Sequence, residues 1–272
     1  MVFLSDIIEV VERLAPTQLA LPDDEIGMQV GDVKRDEWGR KNIRSVVVAL
    51  DPSITVIQHA VDVKAQLLIT HHPIFHNSLS ELSGGLLQKI RALTSNYISL
   101  YVAHTNWDSA ENGVNDTLID LLGLVKTGVV TVKSSSGFEQ PLGRLCAPTG
   151  GLMSLKLLLE IIKDKLKSQV ITYTGELDSE VKKIIVCSGA GDDISLLRNA
   201  CNMGVDTYIT GSASHHALLY SKENNLKLVA AGHYETENPG MKRLSQILQV
   251  ELPEVKIRFF DSQPPGYCYT GV

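Results

Sequence analysis

The strongest constraint on this chain is a pattern that it carries twice. In the first half an apolar, β-branched run, Val46-Val-Val-Ala-Leu50, is followed by Asp51 and a segment of helical period, Ile54–Val63. A second apolar run, Gln66-Leu-Leu-Ile-Thr70, then leads into His71. In the second half Ile184-Ile-Val-Cys187 is followed by Ser188-Gly-Ala-Gly191, a helical segment, Ile194–Met203, and Thr207-Tyr-Ile-Thr210 leading into Gly211. Asp51 to Thr70 and Gly191 to Thr210 are both separations of 19 positions. Each half continues through one more helix and strand, ending in Tyr101-Val-Ala-His104 and Val229-Ala-Ala-Gly-His233. His104 and His233 therefore occupy corresponding places, each just past a strand.

Short continuous apolar runs suit strands buried on both faces, and their alternation with helices indicates parallel pairing. The sequence thus predicts an α/β fold of two similar three-layer units with mostly parallel sheets. The first unit is expected over 1–125, with 230–272 returning to it, and the second over 126–229. Within the less regular stretch 126–180, Thr131–Gly137 reads as a loop, Gly143–Pro148 and Gln169–Tyr173 as strands, and Leu152–Lys167 as a helix with a broad apolar face. Met1–Glu9 opens an amphipathic helix.

Composition narrows the function. The 272 residues carry a net charge of −6, and Lys and Arg never run longer than two. Wrapping nucleic acid needs clustered cations, so no direct nucleic-acid contact is expected. No apolar stretch approaches the ~20 residues of a membrane helix, and no membrane association is expected. Cys146, Cys187, Cys201 and Cys268 are dispersed and form no CxxC pair, which fits a reducing compartment. A start with no basic n-region and no Arg-rich transit pattern points to the cytoplasm, with a nuclear or mitochondrial pool left open.

The chemistry lies in the histidines. Thr70-His71-His72-Pro73-Ile74-Phe75-His76 follows a strand directly, and ligand sites in open α/β sheets form beyond the carboxyl ends of strands. Neighbouring side chains leave an extended backbone in opposite directions, so His71 and His72 suit two different ions, and Pro73 stiffens their presentation. His104-Thr-Asn-Trp-Asp108 and His233-Tyr-Glu-Thr-Glu237 are both His-x-x-x-acid, which brings imidazole and carboxylate to one face of a helical turn. His71, His72, His104, Asp108, His233 and Glu237 make six candidate ligands. That number suffices for two divalent ions of the Zn, Mn or Fe type, bridged by a carboxylate, with positions left for water.

Other features are less directive. His59 reads as a packing or surface histidine. Ser214-His215-His216 echoes His71-His72 with a shift of a few residues, and reads either as a helix start or as a group facing the same site. Ser188-Gly-Ala-Gly-Asp-Asp193 reads either as a phosphate seat at a helix start or as a tight turn with capping. No G-x-S-x-G elbow, no phosphate-binding GxxxxGK[ST] loop and no Cys beside a His is present.

Taken together, Thr70-His-His-Pro73, Ala103-His-Thr-Asn-Trp-Asp108, Asn112-Gly-Val-Asn-Asp116, Tyr208-Ile-Thr-Gly211 and Gly232-His-Tyr-Glu-Thr-Glu237 resemble the Nif-three-like proteins, also called GTP cyclohydrolase 1 type 2 homologues. The resemblance runs from about Asp23 to Phe260-Asp-Ser-Gln-Pro-Pro265. It implies a dinuclear metal centre in the cleft between two α/β halves, with His71 and His72 on one ion each, Asp108 bridging or binding one of them, and His233 and Glu237 completing the set. It places His104 beside the ions. It also implies a homohexameric ring, and the length is similar to that of members lacking an inserted domain. Where members usually have a Trp and an Asn, this chain has Asp23 and Glu25, although Gly27, Gln29 and Gly31 remain. Ala190 stands where a Ser is frequent.

The function expected from these features is hydrolysis by a two-metal centre acting on a small nucleotide-like or pterin-like molecule, with His104 or Glu235 as proton shuttle. The alternative is a non-enzymatic metal-binding protein that regulates through protein partners, such as transcription factors.

Overall fold

The computed structural model describes residues 1–31, 34–75, 79–133 and 139–266. His76, Cys268 and residues 134–137 of the expected loop lie outside these described residues. The chain forms two compact units, Met1–Gly113 with Met241–Gln263, and Val114–Gly240 with the described residues from Pro264.

The first unit opens with α1 (Leu4–Leu14), whose Leu4, Ile7, Ile8 and Val11 recur at helical spacing and are fully buried. The Asp6 carboxylate accepts the Phe3 N–H at 2.8 Å, satisfying a donor at the helix start. Strand β1 (Gly27–Val30) and the short α2 (Arg35–Trp38) follow. The repeated pattern then appears as β2 (Ser45–Ala49), α3 (Ile54–Asp62), β3 (Leu67–Thr70), α4 (Gly84–Ser95) and β4 (Ser99–Val102). Helix α3 starts where Ser53 Oγ accepts the Val56 N–H. The short α5 (Thr105–Ser109) ends this stretch.

Three strands and two helices in the same order recur in the second unit. Helix α6 (Val114–Leu122) leads into the paired strands β5 (Leu124–Lys133) and β6 (Glu139–Pro148). Strand β7 (Met153–Ser154), α7 (Leu155–Leu166), β8 (Thr172–Tyr173) and β9 (Glu180–Val181) come next. The repeat proper is β10 (Ile184–Cys187), α8 (Ile194–Asn202), β11 (Thr207–Thr210), α9 (His215–Glu223) and β12 (Lys227–Ala230). Helix α10 (His233–Glu251) carries the chain back to the first unit, where β13 (Lys256–Phe259) ends the sheet.

The first sheet has the order β1-β4-β3-β2-β13, parallel except for β1. One face packs Val47, Ala49, Leu68 and Leu100 against Val56, Ile57 and Ala60 of α3 and Leu93 of α4. Residues alternate across a strand, so Tyr101 faces the other way. Its hydroxyl donates to Glu12 of α1 at 3.0 Å, which fixes α1 over that second face and makes three layers.

The second sheet has the order β5-β6-β10-β11-β12-β8. Only β10, β11 and β12 run parallel, while β5, β6 and β8 pair antiparallel. This corrects the expectation of a mostly parallel sheet in both units: the repeat supplies the parallel centre, and a hairpin and a short edge strand complete the rest. Thr131 lies in β5 rather than in a loop. Helices α6 and α7 cover Ile184, Val186, Ile209 and Val229, and α8 and α9 cover Ile185, Cys187, Tyr208 and Leu228. Each fully buried Leu, Ile or Val side chain contributes roughly 1.5–3 kcal/mol.

The chain passes between units after Gly113 and after Gly240, twelve positions before the expected 125 and eleven after the expected 229. Helix α6 is the reason for the first shift, since its Leu118, Ile119 and Leu122 pack with α7. For the second, the first turns of α10 belong to the same unit as β12. Gly240 sits so close to Val114 that a Cβ there would meet the Val114 Cα at 2.8 Å.

Candidate metal centre

Three histidines of the first unit are presented by the ends of β3 and β4. The N–H groups of His71 and His72 both donate to Leu50 O, at 3.1 and 3.0 Å, which turns the chain directly after β3. The His71 ring is fully buried, and its Nδ1 lies 3.0 Å from Ala103 O. A carbonyl only accepts, so Nδ1 carries the proton and the neutral ring offers its lone pair at Nε2. That Nε2 lies 3.6 Å from Asp108 Oδ1.

His72 and His104 are held by carboxylates. His72 Nδ1 lies 2.7 Å from Asp51 Oδ1, and His104 Nδ1 lies 2.7 Å from Asp24 Oδ1. Asp24 also accepts the Thr105 N–H at 3.1 Å and the Thr105 hydroxyl through Oδ2. Burial pushes the Asp24 carboxyl up, but hydrogen bonding and charge from His104, with the Thr105 donors, outweigh it and hold the group below its ordinary range. A ring nitrogen of each of His71, His72 and His104 lies within 4.8 Å of the others. With all three Nδ1 atoms directed at acceptors, Nε2 is the donor atom each ring can offer, an orientation typical of metal-bound imidazoles.

The second unit presents one imidazole–carboxylate pair. Gly232, at φ +105°, turns β12 into α10, and His233 and Glu237 stand one turn apart on the helix. His233 Nε2 lies 3.1 Å from Glu237 Oε2, and His233 Nδ1 lies 3.3 Å from Ser212 Oγ. Glu237 is only 3% exposed. It is seated on Gly189, φ +62°, where a Cβ would come within 1.9 Å of Oε1. A Cβ at Gly211 would lie 2.8 Å from the His233 Cα. Both glycines are needed for this seat to exist.

The two His-x-x-x-acid motifs thus act differently. His233 and Glu237 meet directly, whereas His104 precedes the first turn of α5 and turns to Asp24 while Asp108 turns to His71. Glu235 is half-buried and folds its carboxylate back over Gly232. His215 and His216 are exposed on the first turn of α9, capped by Ser214, and belong to no group of three close metal-ligating side chains among the described residues. His59 packs its ring 4.7 Å from that of Phe260.

The Ser188–Gly191 turn is not a phosphate seat. Its N–H groups are taken by side chains: Ser188 by Asn115 Oδ1 at 2.8 Å, Gly189 by Thr236 Oγ1 at 3.2 Å and Gly191 by Thr210 Oγ1 at 3.1 Å. Asp193 caps α8 by accepting the Ser195 N–H at 2.7 Å. Asp24, Asp51 and Asn115 are the polar partners that motif reading overlooked. Asp51 follows a strand just as His71 does, and Asp24 sits inside the divergent Asp23–Glu25 stretch.

Imidazoles with Nδ1 held by acceptors, carboxylates beside them and glycine seats kept clear of side chains make groups that could hold a metal ion. The chain belongs to the Duf34/NIF3 (NGG1p interacting factor 3) family, whose profile matches residues 2–265. A GTP cyclohydrolase 1 type 2 homolog of Clostridium perfringens is 35% identical over 251 residues, 92% of each chain. A protein of the same name from Methanocaldococcus jannaschii is 34% identical over 91% of this chain and 95% of its own. Reduced HcgD from that organism has a TM-score of 0.78 at 32% identity, covering 96% of this chain and 98% of its own. A Bacillus cereus protein related to NIF3 shares the fold, with a TM-score of 0.85 at 21% identity over 99% of each chain.

Proposed function

We propose that this protein holds two divalent ions through His71, His72, Asp108, His233 and Glu237 and hydrolyses a small nucleotide-like or pterin-like molecule. The observation that carries the reading is the common arrangement of His71, His72 and His104, each with Nδ1 on an acceptor and with a ring nitrogen of each within 4.8 Å of the others. Bound divalent ions supply a water acidified toward neutral pH and an electrophile for a phosphoryl or amide-type oxygen. Asp51 fixes the tautomer of His72, and Ala103 O that of His71. His104, oriented by Asp24, takes and returns a proton at Nε2. Glu235 is the second candidate for that shuttle. The names of the relatives, which mention GTP, support the nucleotide-like substrate class.

A second reading is favoured by the family's own designation as an interacting factor: a non-enzymatic metal-binding regulatory protein acting through protein partners. Under either reading we propose a cytoplasmic homo-oligomer. Metal content by mass spectrometry tests what the two readings share, and turnover by the loaded protein separates them. Protein purified without chelator or nickel is expected to carry about two divalent ions per chain, lost in His71→Ala/Glu237→Ala. Metal-loaded protein is then tested on nucleotides and phosphoesters. A folded, metal-free wild type refutes the hydrolase reading. Loaded protein with no turnover across the panel favours the regulatory one.

A further inference from the structure

The Asn112–Asp116 motif has no part in the ligand set, yet Asn115 is fully buried and spans two elements of the second unit. Its Nδ2 donates to Leu142 O of β6 at 2.8 Å, and its Oδ1 accepts the Ser188 N–H at 2.8 Å. Ser188 opens the turn whose next residue, Gly189, is the seat of Glu237. From the other side Thr236 Oγ1 accepts the Gly189 N–H, and Gly189 O accepts the N–H groups of Gly211 and Ser212 at 3.0 and 2.9 Å. The turn is therefore gripped on two successive N–H groups by side chains from two helices, α6 and α10.

We infer that Asn115 is a positioning residue for the metal centre: it sets the height of the Ser188–Gly189 turn and thereby the position of the Glu237 carboxylate. This rests on the proposed metal-binding role of Glu237. The argument is one of clearance. Gly189 approaches Glu237 so closely that a single added carbon would overlap Oε1, so small shifts of the turn pass directly to the carboxylate. Asn is required because one side of the amide must donate and the other accept. An Asp at 115 would set a second acceptor against Leu142 O.

The test uses cobalt(II) as a spectroscopic ion on the full-length protein, with affinity and the visible absorption band as readouts. Asn115→Asp and Asn115→Ala are expected to weaken cobalt binding about 10- to 100-fold, the usual range for partners outside the ligand shell, and to alter the band. Gly189→Ala, which leaves Asn115 in place, is expected to do the same. The Asn115→Ala/Gly189→Ala double variant should lose less than the product of the single losses, because both act through one turn.

Thr174→Val serves as the comparison. It removes a half-buried side chain's bonds to Leu226 O and Leu228 N at the other end of the same sheet. It should lower thermal stability while leaving cobalt affinity unchanged. Unchanged affinity in a folded Asn115→Ala protein overturns the inference, and so does a loss equal to that of Thr174→Val. If neither Asn115 variant folds, exchange of the Ser188 amide in wild-type protein decides, since rapid exchange overturns the grip. A wild type that binds no cobalt refutes the metal-binding reading itself, which is a separate outcome.

Discussion

Replacing Asp24 by Asn should invert the tautomer of His104. Asp24 Oδ1 faces His104 Nδ1, and Oδ2 faces the N–H and hydroxyl of Thr105. An amide has only one oxygen. If that oxygen turned to His104, the amide nitrogen would face the buried Thr105 N–H, donor against donor, at a cost of about 1–3 kcal/mol. The oxygen therefore goes to Thr105 and the NH₂ to His104 Nδ1, favoured roughly 5- to 150-fold. His104 must then accept at Nδ1 and carry its proton at Nε2, the nitrogen proposed to handle protons. Exchanging a charge-assisted bond for a neutral one costs a further ~1–2 kcal/mol of stability. Long-range proton–nitrogen NMR of the ring, on chelator-treated protein at pH about 9 where imidazoles are ordinarily neutral, distinguishes the tautomers. Wild type should show a protonated Nδ1 and Asp24→Asn a protonated Nε2. The same tautomer in both proteins would refute the assignment of Asp24 as the group that orients His104.

Two other predictions concern the second unit. Arg144, only 2% exposed, donates from Nε to Asp116 at 2.5 Å, and Lys126 reaches the same carboxylate at 2.9 Å. Asp116→Ala should cost roughly 3–5 kcal/mol, visible as a lower urea midpoint, and Arg144→Met/Asp116→Leu should recover much of it; a loss below ~1 kcal/mol in the single variant would show that burial adds nothing to this pair. Hydrogen bonds from Ser195 hold the exposed Asp193 carboxyl below its ordinary range. A folded pKa below the unfolded one stabilises above the unfolded value, and that stabilisation fades as pH falls through the folded one. Asp193→Ala should thus lose up to about 1 kcal/mol near neutral pH and less in acid, and a gap that stays constant in thermal melts down to acid pH contradicts the capping role.

The parallel strands were legible because they are buried on both faces. The runs at 46–50, 66–70, 184–187 and 207–210 correspond to β2, β3, β10 and β11 with ends displaced by at most one residue. Helices α3 and α8 were legible from their apolar spacing. Gly143–Pro148 marked the second half of β6, but β5 was not legible, because it lies at a sheet edge with Val125 and Val129 half exposed, which blurs the alternation of the strand. Candidate ligands could be found because His and acidic residues at strand ends are unusual. Their partners could not. Asp24 meets His104 across 80 positions, and Asn115 meets Ser188 across 73, and such pairs are set by how the strands are ordered in the sheet.

The close approach of Gly240 to Val114 brings together the two ends of the continuous segment 114–240 that makes up most of the second unit. A segment whose entry and exit adjoin is a cassette. It can be exchanged for the matching segment of a relative, or recut with new termini at a surface turn, without a linker to bridge a gap. A graft of 114–240 would carry His233, Glu237 and the Gly189 turn together with Asn115, while leaving His71, His72 and Asp108 in the recipient. Under the proposed function, chimaeras made before Val114 and after Gly240 would therefore show which half of the molecule sets the preference for a metal.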